Sequence, residues 1–332
     1  MTRSITLHTH RASWPIRGSF RISRGSKSAA EVVIAELFED GVRGRGECVP
    51  YARYDESLDS VTEQLEALTP ALAAGEIANI QAVQKALPAG AARNALDCAF
   101  WDLEAKKSGT AVWKLCELAE PEAVTTAYTL SLDSPDAMGH AAANNAARPL
   151  LKLKLAGGEG DLERVRAVRA NAPDSRLIVD ANEGWSAEDY HALVDELAAL
   201  QVYMIEQPFP AEQDSVLRNL PRPVRVCADE SCHDTASLPD LRGKYDMVNI
   251  KLDKTGGLSE ALALREKARA DGFEIMVGCM LASSLAMAPA MLVGQGAEIV
   301  DLDGPLLLSK DCSPGLVFEG SRILPPPHAL WG

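Results

Sequence analysis

The chain has 332 residues, 47% of them hydrophobic and 24% charged, which suits a globular protein with one large and one smaller domain. Its formal net charge of -14 excludes nucleic acid and anionic membrane surfaces as expected partners, because both would be repelled. A small anionic substrate is not excluded, since a bound divalent cation and a few arginines can reverse the local field.

The cysteines and the N-terminal segment predict a cytoplasmic location. The seven cysteines are an odd number without C-x-x-C spacing, which is typical of reduced thiols in a cytosolic protein. The segment MTRSITLHTHRASW has no apolar core of the kind found in signal peptides, and no stretch has the length of a membrane span.

The first part of the chain predicts an α+β module over residues 1–122. Alternating polar and apolar residues over 4–38 predict strands, and the glycines of GVRGRGE at 41–47 predict a hairpin turn with its return strand. Helical periodicity follows over 56–73 and again over 91–107.

The remainder predicts an α/β fold, a TIM-type (β/α)7β barrel over residues 123–308. Eight β-rich runs alternate with seven intervening segments, several of them alanine-rich and amphipathic, as right-handed βα units do. Residues 309–332 contain three consecutive prolines and are predicted to return to the N-terminal capping module. The runs are TTAYTLSL, LLKLKLA, RLIVDAN, VYMIEQPF, VRVCADES, MVNIKLD, FEIMVGCM and EIVDLDG.

Three consecutive runs end in acidic residues, Asp180, Glu206 and Asp229. The carboxyl ends of barrel strands converge on one mouth, and carboxylates clustered there raise each other's pKa unless a cation holds them together. Oxygen ligands without Cys or His favour Mg²⁺ over zinc. One such carboxylate is more often a solvated charge or a helix cap, but three in succession predict a metal site.

Lysines complete this arrangement. Lys152 and Lys154 belong to the second run and point the same way, and Lys251 belongs to the sixth run, which lies opposite in an eight-stranded barrel. Neighbouring ammonium groups and a metal ion are expected to lower a lysine pKa towards that of a general base. Two bases on opposite sides of a substrate suit epimerisation. A K-x-K pair is commonly a surface feature, but the flanking leucines indicate a buried strand.

The motifs LKLKL, IVDANEGW, IEQPFP, CADES and NIKLDKTGG resemble those of the muconate-lactonizing subgroup of the enolase superfamily, and within it the dipeptide epimerases. The resemblance implies one Mg²⁺ per subunit, bound by the three acidic residues above, with Lys154 and Lys251 as the acid/base pair. It implies that Lys152 contacts substrate and tunes Lys154. Residues implied to support these groups are Asn182, Glu230 and Asp253, the last as the partner of Lys251.

The resemblance also implies a substrate pocket. The dipeptide epimerases carry a D-x-D motif on the eighth strand that holds the substrate ammonium, and it stands here as Asp301 and Asp303, which could alternatively be helix caps. Arg24 is implied to meet the side-chain carboxylate of a glutamyl residue, with Lys27 and Arg53 as weaker candidates. The residues expected to line the pocket are Thr126, Tyr128, Cys279 and Met280.

The implied reaction is Mg²⁺-dependent epimerisation at the α-carbon of the second residue of a dipeptide, L-Ala-L-Glu to L-Ala-D-Glu, through an enolate. It would serve the reuse of cell-wall (murein) peptides by a homo-oligomeric enzyme. The alternatives within the superfamily are another dipeptide specificity, an N-acyl amino-acid racemase and o-succinylbenzoate synthase. Outside it stand a Schiff-base aldolase using Lys251 and a non-catalytic ligand-binding barrel.

Overall fold

The computed structural model describes residues 3–23, 25–158 and 160–332. The strands of this part of the chain are β1 Thr6–Ile22, β2 Gly25–Glu39, β3 Val42–Cys48, β4 Val124–Thr125, β5 Tyr128–Leu130, β6 Leu150–Lys154, β7 Arg176–Asp180, β8 Val202–Glu206, β9 Arg225–Ala228, β10 Met247–Ile250, β11 Glu274–Gly278, β12 Ile299–Asp301, β13 Phe318–Glu319 and β14 Arg322–Ile323.

The α-helices of the same residues are α1 Leu58–Glu66, α2 Thr69–Ala73, α3 Ile80–Ala86, α4 Ala91–Ser108, α5 Val112–Leu115, α6 Pro135–Asn144, α7 Asp161–Asn171, α8 Ala187–Ala199, α9 Leu238–Leu241, α10 Leu252–Thr255, α11 Leu258–Ala270, α12 Ser284–Val293 and α13 Gly304–Leu307. Short 3₁₀ helices cover Ala52–Tyr54, Ala211–Asn219 and Thr235–Ser237. None of these helices is long and apolar enough to cross a membrane.

The N-terminal module is an antiparallel sheet, in the order β1-β2-β3, with α4 packed on one face. The hairpin predicted from GVRGRGE is present, since β2 and β3 pair as neighbours around a turn at Asp40 and Gly41. Gly44 and Gly46 lie under α4, where a Cβ atom at either position would come within 2.3 Å and 2.1 Å of helix carbonyl oxygens. These glycines allow the helix to lie directly on the strand.

The remaining strands from β5 to β12 form a parallel sheet of eight in sequence order, within the described residues. A bridge between Thr126 and Val300, supported by a hydrogen bond from Ala127 N to Val300 O, joins the last strand to the first. The predicted TIM-type barrel with a capping module is therefore confirmed.

The barrel has two apolar layers. Its interior is filled by one side chain from each strand or its neighbouring residue: Ala127, Leu150, Ile178, Met204, Cys227, Met247, Met276 and Ile299. The residues that alternate with these face outward and pack against the surrounding helices. The apolar interior plug closes the barrel below its carboxyl end, so that only the mouth is available to polar chemistry.

The C-terminal tail returns to the capping module, as predicted. It first adds β13 and β14 to β4 as a small antiparallel sheet. The buried Trp331 then donates from its indole nitrogen to Cys98 O on α4 at 3.0 Å, and Arg45 on β3 donates to Leu330 O at 2.7 Å. The tail thus ties the barrel to the module.

Candidate active site

Six ionisable side chains meet at the carboxyl ends of the barrel strands. They are Lys152, Lys154, Asp180, Glu206, Asp229 and Lys251, and all are buried. Both lysines of β6 point into the barrel because side chains alternate along a strand, while Leu151 and Leu153 face the helices. In the strand register Asp180 lies opposite Lys154 on one side and Glu206 on the other. The sequence prediction that these residues come together is confirmed in position.

Lys152 lies at the centre of this cluster. Its Nζ atom is 2.6 Å from Glu206 Oε2, 2.8 Å from Asp301 Oδ2 and 3.2 Å from Asp180 Oδ2. One ammonium group therefore joins the acidic residues of β7 and β8 to the aspartate at the end of β12. Such a buried charge is retained only when several opposite charges surround it.

The other two lysines bind different carboxylates. Lys154 donates to Asp180 Oδ2 at 2.5 Å, and Lys251 donates to Asp229 Oδ2 at 2.6 Å. Since β6 and β10 are four strands apart in the sheet of eight, the two ammonium groups approach the mouth from opposite sides. This geometry suits a substrate held between two proton carriers.

The pKa values of the lysines depend on the surrounding carboxylates. Burial favours a lower pKa for Lys152 and Lys251, but the surrounding carboxylates outweigh it and hold both pKa values well above the ordinary value. The expected lowering of a lysine pKa included the charge of a bound metal ion, and it stays a prediction for the metal-bound site. Burial, with Asp180 adding to it, raises the pKa of Glu206 to about 7, whereas Lys251 and Lys254 hold the pKa of Asp229 well below its ordinary value.

The donor set fits a hard divalent cation. Asp180, Glu206 and Asp229 are buried and close enough to perturb one another's pKa, and Glu206 Oε2 accepts no hydrogen bond of good geometry from any described residue. No group of three His, Cys, Asp or Glu side chains in the described ranges stands in the arrangement of a metal centre. Ammonium groups lie against the carboxylates instead. All-oxygen donors of net charge minus three match Mg²⁺ in chemistry.

The D-x-D pair lies beside this cluster at the end of β12. Asp303 Oδ2 accepts from Thr129 N at 2.6 Å, and Asp301 Oδ2 binds Lys152. Asp301 Oδ1 is buried and has no hydrogen-bond partner among the described residues. Burial, and then the charge of Asp301, raises the pKa of Asp303 to about 7. An ammonium group on a substrate would donate a hydrogen bond to Asp301 Oδ1. Its positive charge would also offset the neighbouring charges of Asp301 and Asp303.

Thr126 is held against the D-x-D turn, and its predicted place in the pocket lining stays a prediction. Thr126 precedes β5, is fully buried, and uses its hydroxyl to accept from Leu302 N at 2.9 Å and to donate to Ala127 O at 3.0 Å. The run TTAYTLSL contains a bend between β4 and β5 that its β propensity does not reveal. Thr126 therefore supports the backbone of the D-x-D turn from behind.

Cys279 and Met280 directly follow β11 and are half-buried, next to the D-x-D turn. Burial, and then the charges of Asp301 and Asp303, raise the pKa of Cys279 well above that of a free thiol. The thiol is therefore protonated near neutral pH, which suits a neutral wall of the pocket rather than a nucleophile.

The three residues predicted to support the site have different environments. Asn182 donates its backbone N–H to Asp180 Oδ1 at 2.9 Å, and Glu230 is buried next to Asp229 in sequence. Asp253 Oδ1 accepts from Val49 N at 3.0 Å and from Asn94 Nδ2 at 2.8 Å, so these hydrogen bonds run to the capping module. The supporting role of Asp253 towards Lys251 stays a prediction.

The candidates for recognising a substrate side chain lie on the capping module. Arg24 lies outside the described residues. Lys27 is exposed, with its Nζ 5.9 Å from the centroid of the Tyr51 ring. Arg53 binds Glu183 and Glu212 on the barrel through its Nε and Nη2 atoms.

Two residues of the site were not singled out in the sequence. Lys254 is fully buried and donates to Asp229 Oδ1 at 2.7 Å, and Asn249 donates from Nδ2 to Glu206 Oε1 at 2.8 Å. Both belong to the motif NIKLDKTGG. Asn249 could have been found from the period of two before Lys251, while Lys254 needed the short helix α10 to be recognised.

Two family profiles cover most of the chain. Residues 4–116 match the family described as mandelate racemase / muconate lactonizing enzyme, N-terminal domain. Residues 137–323 match the family described as enolase C-terminal domain-like. The first match coincides with the capping module and the second with the barrel.

Similar proteins extend over nearly the full length. L-Ala-D/L-Glu epimerase of Escherichia coli (strain K12) is 48% identical over 322 residues, which is 96% of this chain and 99% of the relative. N-acetyl-D-glutamate racemase of a Pseudoalteromonas species is 45% identical over 303 residues, 91% of this chain and 95% of the relative.

A solved structure gives the same result for the fold. An enolase family member from Agrobacterium tumefaciens with homology to dipeptide epimerases, solved with bound sodium and L-Ala-L-Glu, superposes with a TM-score of 0.97. It is 48% identical, and the match covers 99% of this chain and 100% of that chain. The resemblance inferred from the barrel motifs is thereby confirmed, and the chain belongs to the mandelate racemase/muconate lactonizing enzyme family of the enolase superfamily.

Proposed function

We propose that the chain is an isomerase that epimerises a dipeptide at the α-carbon of its second residue, with L-Ala-L-Glu and L-Ala-D-Glu as substrate and product. The observation that carries the proposal is the opposed pair Lys154 and Lys251, each bound to a different carboxylate of one buried cluster. The similarity to the L-Ala-D/L-Glu epimerase of Escherichia coli supports the substrate class.

The two lysines handle two different protons on opposite faces of the substrate. One lysine, in its neutral form, removes the proton from the α-carbon, and the ammonium of the other returns a proton to the opposite face. Because the α-proton of a carboxylate is a very weak acid, the resulting enolate needs positive charge around it. Lys152, at the centre of the cluster, supplies one such charge from the chain itself.

Asp180, Glu206 and Asp229 hold the cofactor in this proposal, and their oxygen-only donor set supports Mg²⁺. When bound, the ion supplies positive charge that stabilises the enolate and offsets the carboxylates that raise the pKa of Lys251. Asn182 and Lys254 orient two of these carboxylates through the contacts described above.

Asp301 and Asp303 bind the ammonium of the N-terminal residue. The unpartnered Asp301 Oδ1 and the raised pKa of Asp303 support this assignment, since both are relieved by a cation. Arg24 is proposed to bind the glutamyl side-chain carboxylate, on the resemblance alone. Cys279 and Met280 form an uncharged wall beside the ammonium site.

A second candidate function is racemisation of N-acetylglutamate. The 45% identity to N-acetyl-D-glutamate racemase favours it, and the same lysines and carboxylates would serve both reactions. The candidates differ at the N-terminus of the substrate, which is a cation in L-Ala-Glu and an uncharged amide in N-acetylglutamate. An uncharged amide leaves the paired charges of Asp301 and Asp303 uncompensated, so we rank the dipeptide first.

The deciding experiment is α-proton exchange in D₂O with Mg²⁺, followed by NMR on L-Ala-L-Glu, L-Ala-L-Phe, L-Ala-L-Lys, N-acetyl-L-Glu and N-succinyl-L-Glu. We expect exchange with L-Ala-L-Glu that is lost with EDTA. Exchange confined to an N-acyl compound would replace the dipeptide assignment, and exchange with another dipeptide alone would remove the role of Arg24. Exchange that persists in EDTA, with a borohydride-trapped adduct, would indicate a Schiff-base enzyme.

The proposal extends to the domain bounds, the oligomeric state and the cellular role of the chain. We divide the chain into a capping domain at 1–122, a barrel at 123–308 and a returning tail at 309–332. The enzyme is proposed to be a cytoplasmic homo-oligomer that acts in the reuse of murein peptides. Light scattering at several protein concentrations tests the oligomer, since a constant mass of 35.6 kDa would mean a monomer.

A further inference from the structure

The capping module is joined to the loop after β7 by a partly buried ion pair between Arg53 and Glu183. Arg53, in the 3₁₀ helix Ala52–Tyr54, donates from Nε to Glu183 Oε2 at 3.1 Å and from Nη2 to Glu183 Oε1 at 3.0 Å. Nη2 also reaches Glu212 Oε1 at 2.9 Å. The Glu183 side chain is only 10% exposed, whereas that of Glu212 is 69% exposed. The contact with Glu183 is thus bidentate, and its carboxylate is more shielded from solvent than that of Glu212.

The loop held by this ion pair is strained. Asn182 and Glu183 have positive φ angles of 46° and 65°, in the left-handed region that residues other than glycine rarely adopt. Such a conformation costs free energy and persists only where surrounding contacts impose it. Glu183 receives three of these contacts: its N–H donates to Gln207 O, its carboxylate accepts from Ala211 N, and the same carboxylate binds Arg53.

The strained loop leads directly to a proposed metal ligand. Asn182 N–H donates to Asp180 Oδ1 at 2.9 Å, so the direction of this N–H fixes one carboxylate oxygen of Asp180. The direction of this N–H depends on the backbone of Asn182, whose left-handed φ adjoins that of Glu183. A residue that holds this conformation therefore acts on Asp180 without touching it.

We propose that Arg53 is a positioning residue for the metal site: its two-pronged ion pair with Glu183 holds the loop after β7 in the conformation that orients Asp180. The inference rests on the proposed function only in assigning Asp180 to the metal. It also gives the capping module a part in building the barrel site, in addition to covering it.

The same contacts argue against Arg53 as the group that recognises a glutamyl substrate. Two carboxylates, Glu183 and Glu212, already bind the guanidinium of Arg53. A third carboxylate from a substrate would meet repulsion from these two. Arg53 would otherwise be an attractive candidate, since it lies on the capping module near the mouth.

The first test compares Glu183→Gln with Glu212→Gln. Both variants remove one carboxylate from the same arginine, but the first is at the strained loop and the second is exposed. Calorimetric titration with Mg²⁺, without substrate, is expected to show a Kd about tenfold weaker for Glu183→Gln. For Glu212→Gln the change is expected to be below about twofold, as for an exposed pair. Equal Kd values for wild type and Glu183→Gln would overturn the proposal.

The second test separates positioning from substrate recognition. Arg53→Met is expected to weaken Mg²⁺ binding like Glu183→Gln, and to lower kcat/KM by the same factor for L-Ala-L-Glu and for a neutral dipeptide that the wild type also turns over. Arg53→Lys keeps the positive charge but loses the bidentate guanidinium. Its Mg²⁺ affinity is expected to lie between those of the wild type and Arg53→Met. A loss confined to the glutamyl substrate, with unchanged Mg²⁺ affinity, would mean that Arg53 binds substrate.

Separate measurements distinguish a loss of folding, and a failure of the proposed function, from a failure of the positioning role. Circular dichroism and thermal unfolding are recorded for each variant, and if Arg53→Met does not fold, Glu183→Gln and Arg53→Lys decide the question. If the wild type turns over none of the dipeptides, the proposed function fails. The Mg²⁺ titrations still test the positioning role of Arg53 in that case.

Discussion

Lys154 and Lys251 occupy equivalent positions on opposite sides of the mouth, yet each is bound to its own carboxylate. We expect Lys154→Ala and Lys251→Ala each to abolish epimerisation, because one carrier cannot both remove a proton from one face and deliver it to the other. Each variant should keep α-proton exchange with one enantiomer of the substrate only. NMR in D₂O, started separately from L-Ala-L-Glu and L-Ala-D-Glu, measures this directly.

The matched control for these variants is Lys310→Ala, which removes an exposed lysine far along the chain from either strand. It should epimerise and exchange like the wild type. Epimerisation at the wild-type rate in either Lys154→Ala or Lys251→Ala would contradict the two-base assignment. Loss of exchange with both enantiomers in one variant would mean that this lysine acts on both faces.

Asp301 is the residue whose charge separates the two candidate substrates. Asp301→Asn keeps the shape of the side chain but removes the charge offered to a substrate ammonium. We expect kcat/KM for L-Ala-L-Glu to fall by about 10- to 100-fold, as for loss of a hydrogen bond between charged groups. Exchange of N-acetyl-L-Glu, which has no ammonium, serves as the internal control and should fall less. An equal loss for both compounds would indicate that Asp301 acts only through Lys152.

Single residues also show what the sequence could predict of the site. Asp180, Glu206 and Lys154 follow from strand ends and from a period of two, which are local properties. The raised pKa of Lys251 does not, because it depends on how many carboxylates lie around one ammonium after the barrel closes. The same holds for Asp253, whose partners Val49 and Asn94 are some 200 and 160 residues away in sequence.

Among the secondary-structure elements, β3 and α12 are joined by Glu47. Its carboxylate accepts from Ser283 N at 2.8 Å and from Ser283 Oγ at 2.7 Å, just before α12 begins, and from the indole of Trp14 at 3.3 Å. Burial raises the pKa of Glu47 from 4.5 to about 7 despite these hydrogen bonds. A carboxyl group with a raised folded-state pKa binds more protons in the native than in the unfolded state over that range.

The stability that Glu47 contributes should therefore fall as pH rises from about 4.5 to about 7, by up to about 1.4 kcal/mol per pH unit. Glu47→Gln cannot titrate, so its free energy of unfolding should decline less steeply between these pH values than that of the wild type. Urea denaturation at half-unit pH intervals measures both slopes, with the exposed Glu63→Gln as control. Identical slopes for wild type and Glu47→Gln would show that Glu47 does not titrate in this range.

The elements themselves were predictable to different degrees. The segment between the second and third barrel strands is helical as expected of a βα unit, and α7 begins after Gly160 with Asp161 and Glu163 in its first turn. The helix predicted over 56–73 is divided into α1 and α2, with Pro70 near the start of the second. The connection from β8 to β9 is a 3₁₀ helix rather than an α-helix, which periodicity does not distinguish over so few residues.

Over the whole molecule, the capping module and the barrel are connected by buried carboxylates. Asp97 accepts from Ser259 N and Oγ at the start of α11, Asp253 binds Val49 and Asn94, and Glu47 binds Ser283. Each of these groups has partners on the other unit, so the two units are expected to unfold together. The site between them then exists only in the fully native protein, which makes ligand binding a measure of global stability.

Magnesium should consequently stabilise the whole chain. A ligand that binds only the native state at 100 times its Kd adds about 2.7 kcal/mol to the free energy of unfolding. We expect the Tm of the wild type to rise with Mg²⁺ concentration from its value in EDTA, in differential scanning calorimetry. Asp180→Asn, which removes one proposed ligand, should lose most of this rise, and Asp301→Asn should keep it because Asp301 is assigned to the substrate ammonium. A Tm independent of Mg²⁺ in the wild type, or an undiminished rise in Asp180→Asn, would contradict the placement of the metal between β7, β8 and β9.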